Sequence, residues 1–145
     1  MTRSETMRDE LMQFLIDFAW FHNIGLEIGA FGHSFRSYAI PASRLVIVNT
    51  NWQNKNEVPF SFSHELGHIM NGDTGIRYYD SGTINSKSEY HANEFGIKLL
   101  LRFCDEHDIH FTNPIKFCEH FGVPMKLDYI VAMLINENHM IGYVG

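Results

Sequence analysis

The amino-acid sequence predicts an α+β fold in a single domain that covers residues 1–145. Three observations lead to this prediction: an apolar helical stripe opens the chain, short extended runs follow it, and helical patterns fill the remainder. A chain of 145 residues buries one sizeable core but not two. The expected order is an N-terminal helix, a small antiparallel sheet, two adjacent helices and a C-terminal helical pair.

The N-terminal helix is predicted from apolar side chains at steps of three and four residues, which place them on one face. Asn23 and Gly25 are expected to end this helix, because both residues favour turns. The side chains that form the stripe are Met7, Leu11, Phe14, Leu15, Phe18 and Phe21.

The next segment changes to an extended pattern. Leu26 and Ile28 alternate around Glu27, residues 34–40 precede a proline, and residues 45–48 form a largely β-branched run. Such runs are typical of strands. We therefore predict three short antiparallel strands between residues 25 and 49.

The chemistry of the chain is concentrated in residues 64–68, which read His-Glu-Leu-Gly-His. On a helix, His64 and His68 project from one face at a spacing that lets both imidazoles reach one tetrahedral metal ion. Glu65 is rotated by about 100° from His64, so its carboxylate lies beside the metal, where it can act as general base toward water. Gly67 is unfavourable inside a helix and indicates that another backbone, such as a crossing strand, approaches closely there.

A catalytic zinc ion needs a third protein ligand besides two histidines. A second helix, expected from Ser86 or Ser88 to about residue 103, offers Glu89, with Ala92, Asn93 and Gly96 on the same face. These small residues permit close packing on the motif helix. We therefore predict a Zn²⁺ site of His64, His68 and Glu89.

Alternative ligands and supporting groups on the second helix stay open at this point. Glu94 and His91 compete with Glu89 for the metal, although Glu94 stands four residues before Lys98, a spacing suited to an exposed ion pair. Asn93 is a candidate to orient a ligand imidazole by a hydrogen bond. The tyrosines that are candidates to stabilise an oxyanion are Tyr78, Tyr79 and Tyr90.

Around these motifs the sequence resembles the ImmA/IrrE metallopeptidase family. The resemblance rests on the pentapeptide 64–68, on the Ile-Val-Asn run before it, and on Glu89, Ala92, Asn93 and Phe95 after it. It implies a zincin-like fold, with His64, His68 and Glu89 as zinc ligands and Glu65 as the catalytic residue. It also implies a protein substrate such as a helix-turn-helix transcriptional repressor of a phage or mobile element.

Some positions depart from the usual pattern of that family. Gly96 stands where alanine is usual, His91 stands where a carboxylate is common, and no proline follows the leucines at 99–101. These changes concern packing more than chemistry. The prediction is therefore a zinc-dependent endopeptidase, and the alternative is a zinc-containing adaptor that binds a repressor or antitoxin without cleaving it.

A DNA-binding regulator with a structural metal is a third hypothesis, because the predicted helical pair 114–135 has a helix-turn-helix outline. In that pair Lys116 and Lys126 are balanced by Glu119 and Asp128, and the net charge of the chain is −6. Phosphate-binding proteins usually carry a basic excess. We therefore expect no direct contact with nucleic acid.

The remaining composition favours a cytoplasmic protein. The two cysteines, Cys104 and Cys118, form no CxxC pair and are typical of reduced thiols. The apolar stretch 11–21 is interrupted by Gln13 and Asp17, so it fits neither a signal peptide nor a membrane span.

Overall fold

In the computed structural model, which describes residues 2–73 and 86–144, a three-stranded sheet packs against α-helices. This arrangement confirms the α+β prediction. The strands are β1 (Gly25–Gly29), β2 (Tyr38–Ile40) and β3 (Leu45–Asn49). The α-helices of the described residues are α1 (Arg3–Phe21), α2 (Val58–Met70), α3 (Ser86–Glu106), α4 (Pro114–Phe121) and α5 (Asp128–Val144).

Helix α1 begins with a capping box, in which the Thr2 hydroxyl accepts from the Glu5 amide and the Glu5 carboxylate accepts from the Thr2 amide. Its predicted stripe packs on the core except at the last position. The Phe21 side chain is 79% exposed, so its assignment to the core was wrong. The helix ends at this residue and the chain turns at Asn23, which has a φ of 58°.

The sheet differs from the predicted antiparallel one in its strand order, β1-β3-β2. Strand β2 pairs antiparallel with β3, as expected, but β1 pairs parallel with β3 from Gly25 opposite Leu45 to Gly29 opposite Asn49. The sheet is therefore mixed. The chain leaves β1, passes the end of β3 and enters β2 on the far side through the connection 30–37, which is long enough to skip one strand position.

The Asn49 side chain holds this connection in place. Its Oδ1 atom accepts from the Phe31 amide at 2.9 Å, and its Nδ2 donates to the carbonyls of Gly32 at 2.8 Å and Phe35 at 2.6 Å. Asn49 itself is buried. One side-chain amide thus satisfies the backbone groups of a loop that forms no strand pairing.

Helix α2 is the central element and packs against α1, α3, β2 and β3. Because it has neighbours on most sides, it is apolar on most faces. Pro59 lies in its first turn, where the missing proline N–H leaves no helical hydrogen bond unmade. Its buried apolar side chains are Val58, Phe60, Phe62, Leu66 and Ile69.

The C-terminal helical pair is confirmed as α4 and α5, which pack on each other. Gly122 begins the connection 122–127 between them at a φ of 66°, and a Cβ there would lie 3.0 Å or less from backbone atoms of Asn56 and Glu57. Helix α3 runs three residues past its predicted end, to Glu106. The segment 74–85, whose Gly, Ser, Asp and Tyr content predicts a loop, lies outside the described residues. Within the described part of the chain, no helix combines the length and apolar character needed to cross a bilayer.

Candidate metal centre

Two histidines of α2 and one glutamate of α3 meet at a single point between the helices. Nε2 of His64 lies 3.0 Å from Oε2 of Glu89, and Nε2 of His68 lies 3.2 Å from Oε1 of the same carboxylate. One potential ligand atom from each of the three residues lies within 4.8 Å of the others. The sequence-predicted ligands are therefore close enough together to hold one ion.

Two glycines allow this approach of α2 and α3. A Cβ at Gly67 would lie 3.0 Å from the Ala92 carbonyl oxygen, and a Cβ at Gly96 would lie 2.9 Å from the Ser63 hydroxyl and 3.1 Å from the His64 backbone nitrogen. The backbone that approaches Gly67 is thus α3, and the expected crossing strand was wrong. At both positions, any larger residue would push apart the helices that carry the cluster.

The Glu89 carboxylate is an anion in this setting. Partial burial by itself would raise its pKa, but when the His64 and His68 rings carry a proton on Nε2, their hydrogen bonds and charge outweigh burial and hold the pKa well below its usual range. The side chain keeps 37% of its surface exposed, so the cluster remains open to solvent on the Glu89 side. The centre therefore combines two imidazoles with one negative charge.

The surroundings of His68 fit a bound cation. Its Nδ1 lies 2.8 Å from Oδ2 of Asp73, a geometry in which Nδ1–H donates to the carboxylate. In the neutral ring Nε2 is then an unprotonated acceptor, and this buried atom has no hydrogen-bond partner among the described residues. Because Nε2 faces the acceptor oxygen of Glu89 at 3.2 Å, a cation between them would satisfy both atoms.

Glu65 occupies the position expected of a group beside the metal. Its Oε2 lies 3.7 Å from Nε2 of His64, and its side chain is only 8% exposed. Glu65 does not belong to the three-residue group of potential ligands. A buried carboxylate that borders such a group without joining it is placed to exchange a proton with a bound reactant.

The competing residues of α3 lie elsewhere. Glu94 contacts Lys98 at 3.4 Å, and His91 is exposed. Asn93 does not orient a ligand imidazole: the Nδ1 atom of His68 is paired with Asp73, and that of His64 has no partner among the described residues. The prediction for Asn93 was therefore wrong.

The tyrosine candidates for oxyanion stabilisation find no support in the described residues. Tyr78 and Tyr79 lie outside them. Burial and the neighbouring Glu94 raise the pKa of Tyr90, with smaller effects from Tyr129 and Glu137 of α5. The Tyr90 hydroxyl thus interacts with groups on the α5 side of the helix.

Asp73 was not among the residues that the sequence analysis singled out. A signal was present, because a Gly-Asp pair directly after the last turn of a helix is suited to a left-handed cap. That cap brings the following side chain back toward the last helical turn, where His68 lies.

The comparison with protein families decides the identity of the domain. Residues 23–129 match the model of Peptidase M78, the IrrE N-terminal-like domain. The chain belongs to this family. The match spans the sheet, the motif helix and the α3 helix, and it confirms the resemblance found in the sequence. The Peptidase M78 domain is a peptidase domain, so the cluster lies in a hydrolase scaffold. No curated protein and no solved structure matches the chain.

Proposed function

We propose that this chain is a zinc-dependent endopeptidase in which His64, His68 and Glu89 bind the metal and Glu65 is the general base. The observation that supports this most directly is the convergence of the three side chains within 4.8 Å in a Peptidase M78 domain. A catalytic zinc site uses three protein ligands and keeps one position open. The partly exposed side of Glu89 provides that opening.

The donor set favours zinc over harder cations. Two imidazole nitrogens and one carboxylate oxygen suit Zn²⁺, whereas Mg²⁺ and Ca²⁺ prefer oxygen ligands. When bound, zinc would polarise the scissile carbonyl and make an attacking water more acidic. The anionic state of Glu89 adds negative charge to the site and so strengthens the binding of a dication.

Glu65 supplies the proton transfer in this proposal. Its carboxylate takes a proton from the attacking water and then delivers a proton to the leaving amine, so the enzyme ends the cycle unchanged. Burial favours this role, because a carboxylate shielded from bulk water exchanges protons with the reactant more directly. Its 3.7 Å distance from His64 Nε2 supports this role.

The proposed substrate is a protein partner in the cytoplasm, specifically a helix-turn-helix transcriptional repressor. Support for this class comes from the resemblance to the ImmA/IrrE family. The net charge of −6 is also favourable, since DNA-binding domains are basic and opposite charge speeds association. Hydrolysis of such a partner would release the promoter that it occupies.

The direct test incubates the zinc-loaded protein with a purified helix-turn-helix repressor encoded beside it, with and without a chelator. The proposal predicts discrete cleavage products that disappear on chelation. Glu65→Gln should keep its zinc but lose turnover by about 100- to 10,000-fold, while Glu94→Gln, a change on α3 outside the group of potential ligands, should cleave normally.

The same experiment separates the proposed enzyme from an adaptor. Stable binding of the repressor without cleavage, equal in the parent and in Glu65→Gln, would favour the adaptor and contradict the peptidase proposal. Cleavage that survives both chelation and Glu65→Gln would contradict the assigned chemistry.

A further inference from the structure

We propose that Asp73 is a positioning residue that fixes His68 in the tautomer and orientation needed to bind the metal. This inference rests on the proposed function, because it assigns a role relative to the same zinc ion. Asp73 does not belong to the ligand group. It contacts the imidazole nitrogen that points away from Glu89.

The end of α2 builds this contact. Gly72 adopts a φ of 73°, the Gly72 amide donates to the Ile69 carbonyl at 3.1 Å, and the Asp73 amide donates to the His68 carbonyl at 3.1 Å. This pair of bonds is the Schellman arrangement that closes many helices. It folds the chain back, so that the backbone of Asp73 is fixed to the residue whose side chain its carboxylate also contacts.

Asp73 therefore contacts His68 through both its backbone and its carboxylate. The backbone bond sets the position of Asp73, and the 2.8 Å contact between Oδ2 and Nδ1 selects the ring form with its proton on Nδ1. Nε2 is then free of a proton and directed at Glu89. Metal-bound histidines commonly donate their second ring N–H to such a partner, which raises the basicity of the ligand and limits ring rotation.

Among the described residues, a carboxylate contacts Nδ1 of His68 but not Nδ1 of His64. Nδ1 of His64 is buried and has no hydrogen-bond partner within residues 2–73 and 86–144. His68 is also the more enclosed ring, with a side chain only 1% exposed against 15% for His64. We therefore assign the fixed geometry of the centre to His68 and a looser ligand role to His64.

The test measures the zinc dissociation constant by competition with a chromophoric chelator, for the full chain and three variants. Asp73→Ala should bind zinc about 10- to 100-fold more weakly than the parent. Asp73→Asn should lose less, because its amide oxygen still accepts from Nδ1–H. Asp108→Ala is the matched control, since Asp108 contacts His110 at 2.9 Å in an exposed pair; it should bind zinc like the parent.

The melting temperatures of the metal-free variants separate positioning from a general structural role. A fall in melting temperature with an unchanged dissociation constant for Asp73→Ala would overturn the inference. So would an Asp73→Asn variant that recovers no affinity. If the parent itself fails to bind zinc, the proposed function fails, whereas a zinc-binding parent with an equally tight Asp73→Ala contradicts only the role of Asp73.

Discussion

Gly67 lies where α2 contacts α3, and its replacement by alanine is expected to destabilise the protein, although alanine has the higher helix propensity. Replacing glycine by alanine inside a helix normally stabilises it by about 1 kcal/mol. Here the new Cβ would lie 3.0 Å from the Ala92 carbonyl oxygen and 3.1 Å from the Ala92 Cα, closer than ordinary contact, which begins near 3.4 Å. Both atoms belong to backbone, so α3 must move by a few tenths of an ångström.

Overpacking of this kind costs about 1–3 kcal/mol, which exceeds or cancels the gain in propensity. The expected net effect of Gly67→Ala is a loss of about 0–2 kcal/mol, or a fall in melting temperature of up to roughly 6 °C for a chain of this size. Since Glu89 is on α3, the same displacement should also weaken zinc binding.

The assay is thermal unfolding of the metal-free protein together with a zinc titration. Gly96→Ala is the companion variant, because its Cβ would approach Ser63 and His64 from the opposite helix. Both variants should lose zinc affinity. Stabilisation by about 1 kcal/mol with unchanged affinity, the behaviour of an exposed helical glycine, would refute the close packing of the two helices.

Two further predictions concern metal removal and the thiols. Chelation of zinc should lower the melting temperature measured by calorimetry, because an ion that binds only the folded state stabilises that state. An unchanged melting curve after verified metal removal would count against the site. Burial, with a smaller effect from Asp105, raises the pKa of Cys104 to about 12, and burial also raises the pKa of Cys118. Both thiols should therefore resist a disulfide reagent at pH 8 in the folded protein and react after denaturation, and rapid reaction of the folded protein would contradict their burial.

Local sequence patterns predicted the parts of the site that depend on helical spacing. His64, Glu65 and His68 lie on one helix, so their relative directions follow from helical geometry alone. Glu89 was selected because small residues share its face, and two of them, Ala92 and Gly96, do lie against α2. The choice between Glu89 and Glu94 thus followed from packing that the sequence already contained.

The sequence pattern did not predict which strands pair with each other. The alternation of Leu26 and Ile28 identifies a strand but contains no information on its neighbour. An eight-residue connection allows either an adjacent hairpin or a skipped position. In the structure the skipped position goes with a loop held by Asn49, whose side chain binds three of its backbone groups, and no periodicity reveals such a contact.

Helical periodicity also did not predict the contacts made across a helix end. Asp73 lies five positions after His68 and beyond the helix, where helical spacing no longer predicts direction. Only the left-handed turn at Gly72 brings its carboxylate to the imidazole. Similarly, Gly67 indicated that some backbone approached, but not that this backbone was α3.

The assignment of Glu89 as the third ligand is tested most directly by titrating zinc into the metal-free parent, Glu89→Ala and Glu94→Ala. The parent should bind one zinc ion per chain, Glu89→Ala should lose most of that affinity, and Glu94→Ala should match the parent because its only described ion pair is with Lys98 at the surface. A Glu89→Ala variant that binds zinc like the parent, or a Glu94→Ala variant that does not, would contradict the proposed centre.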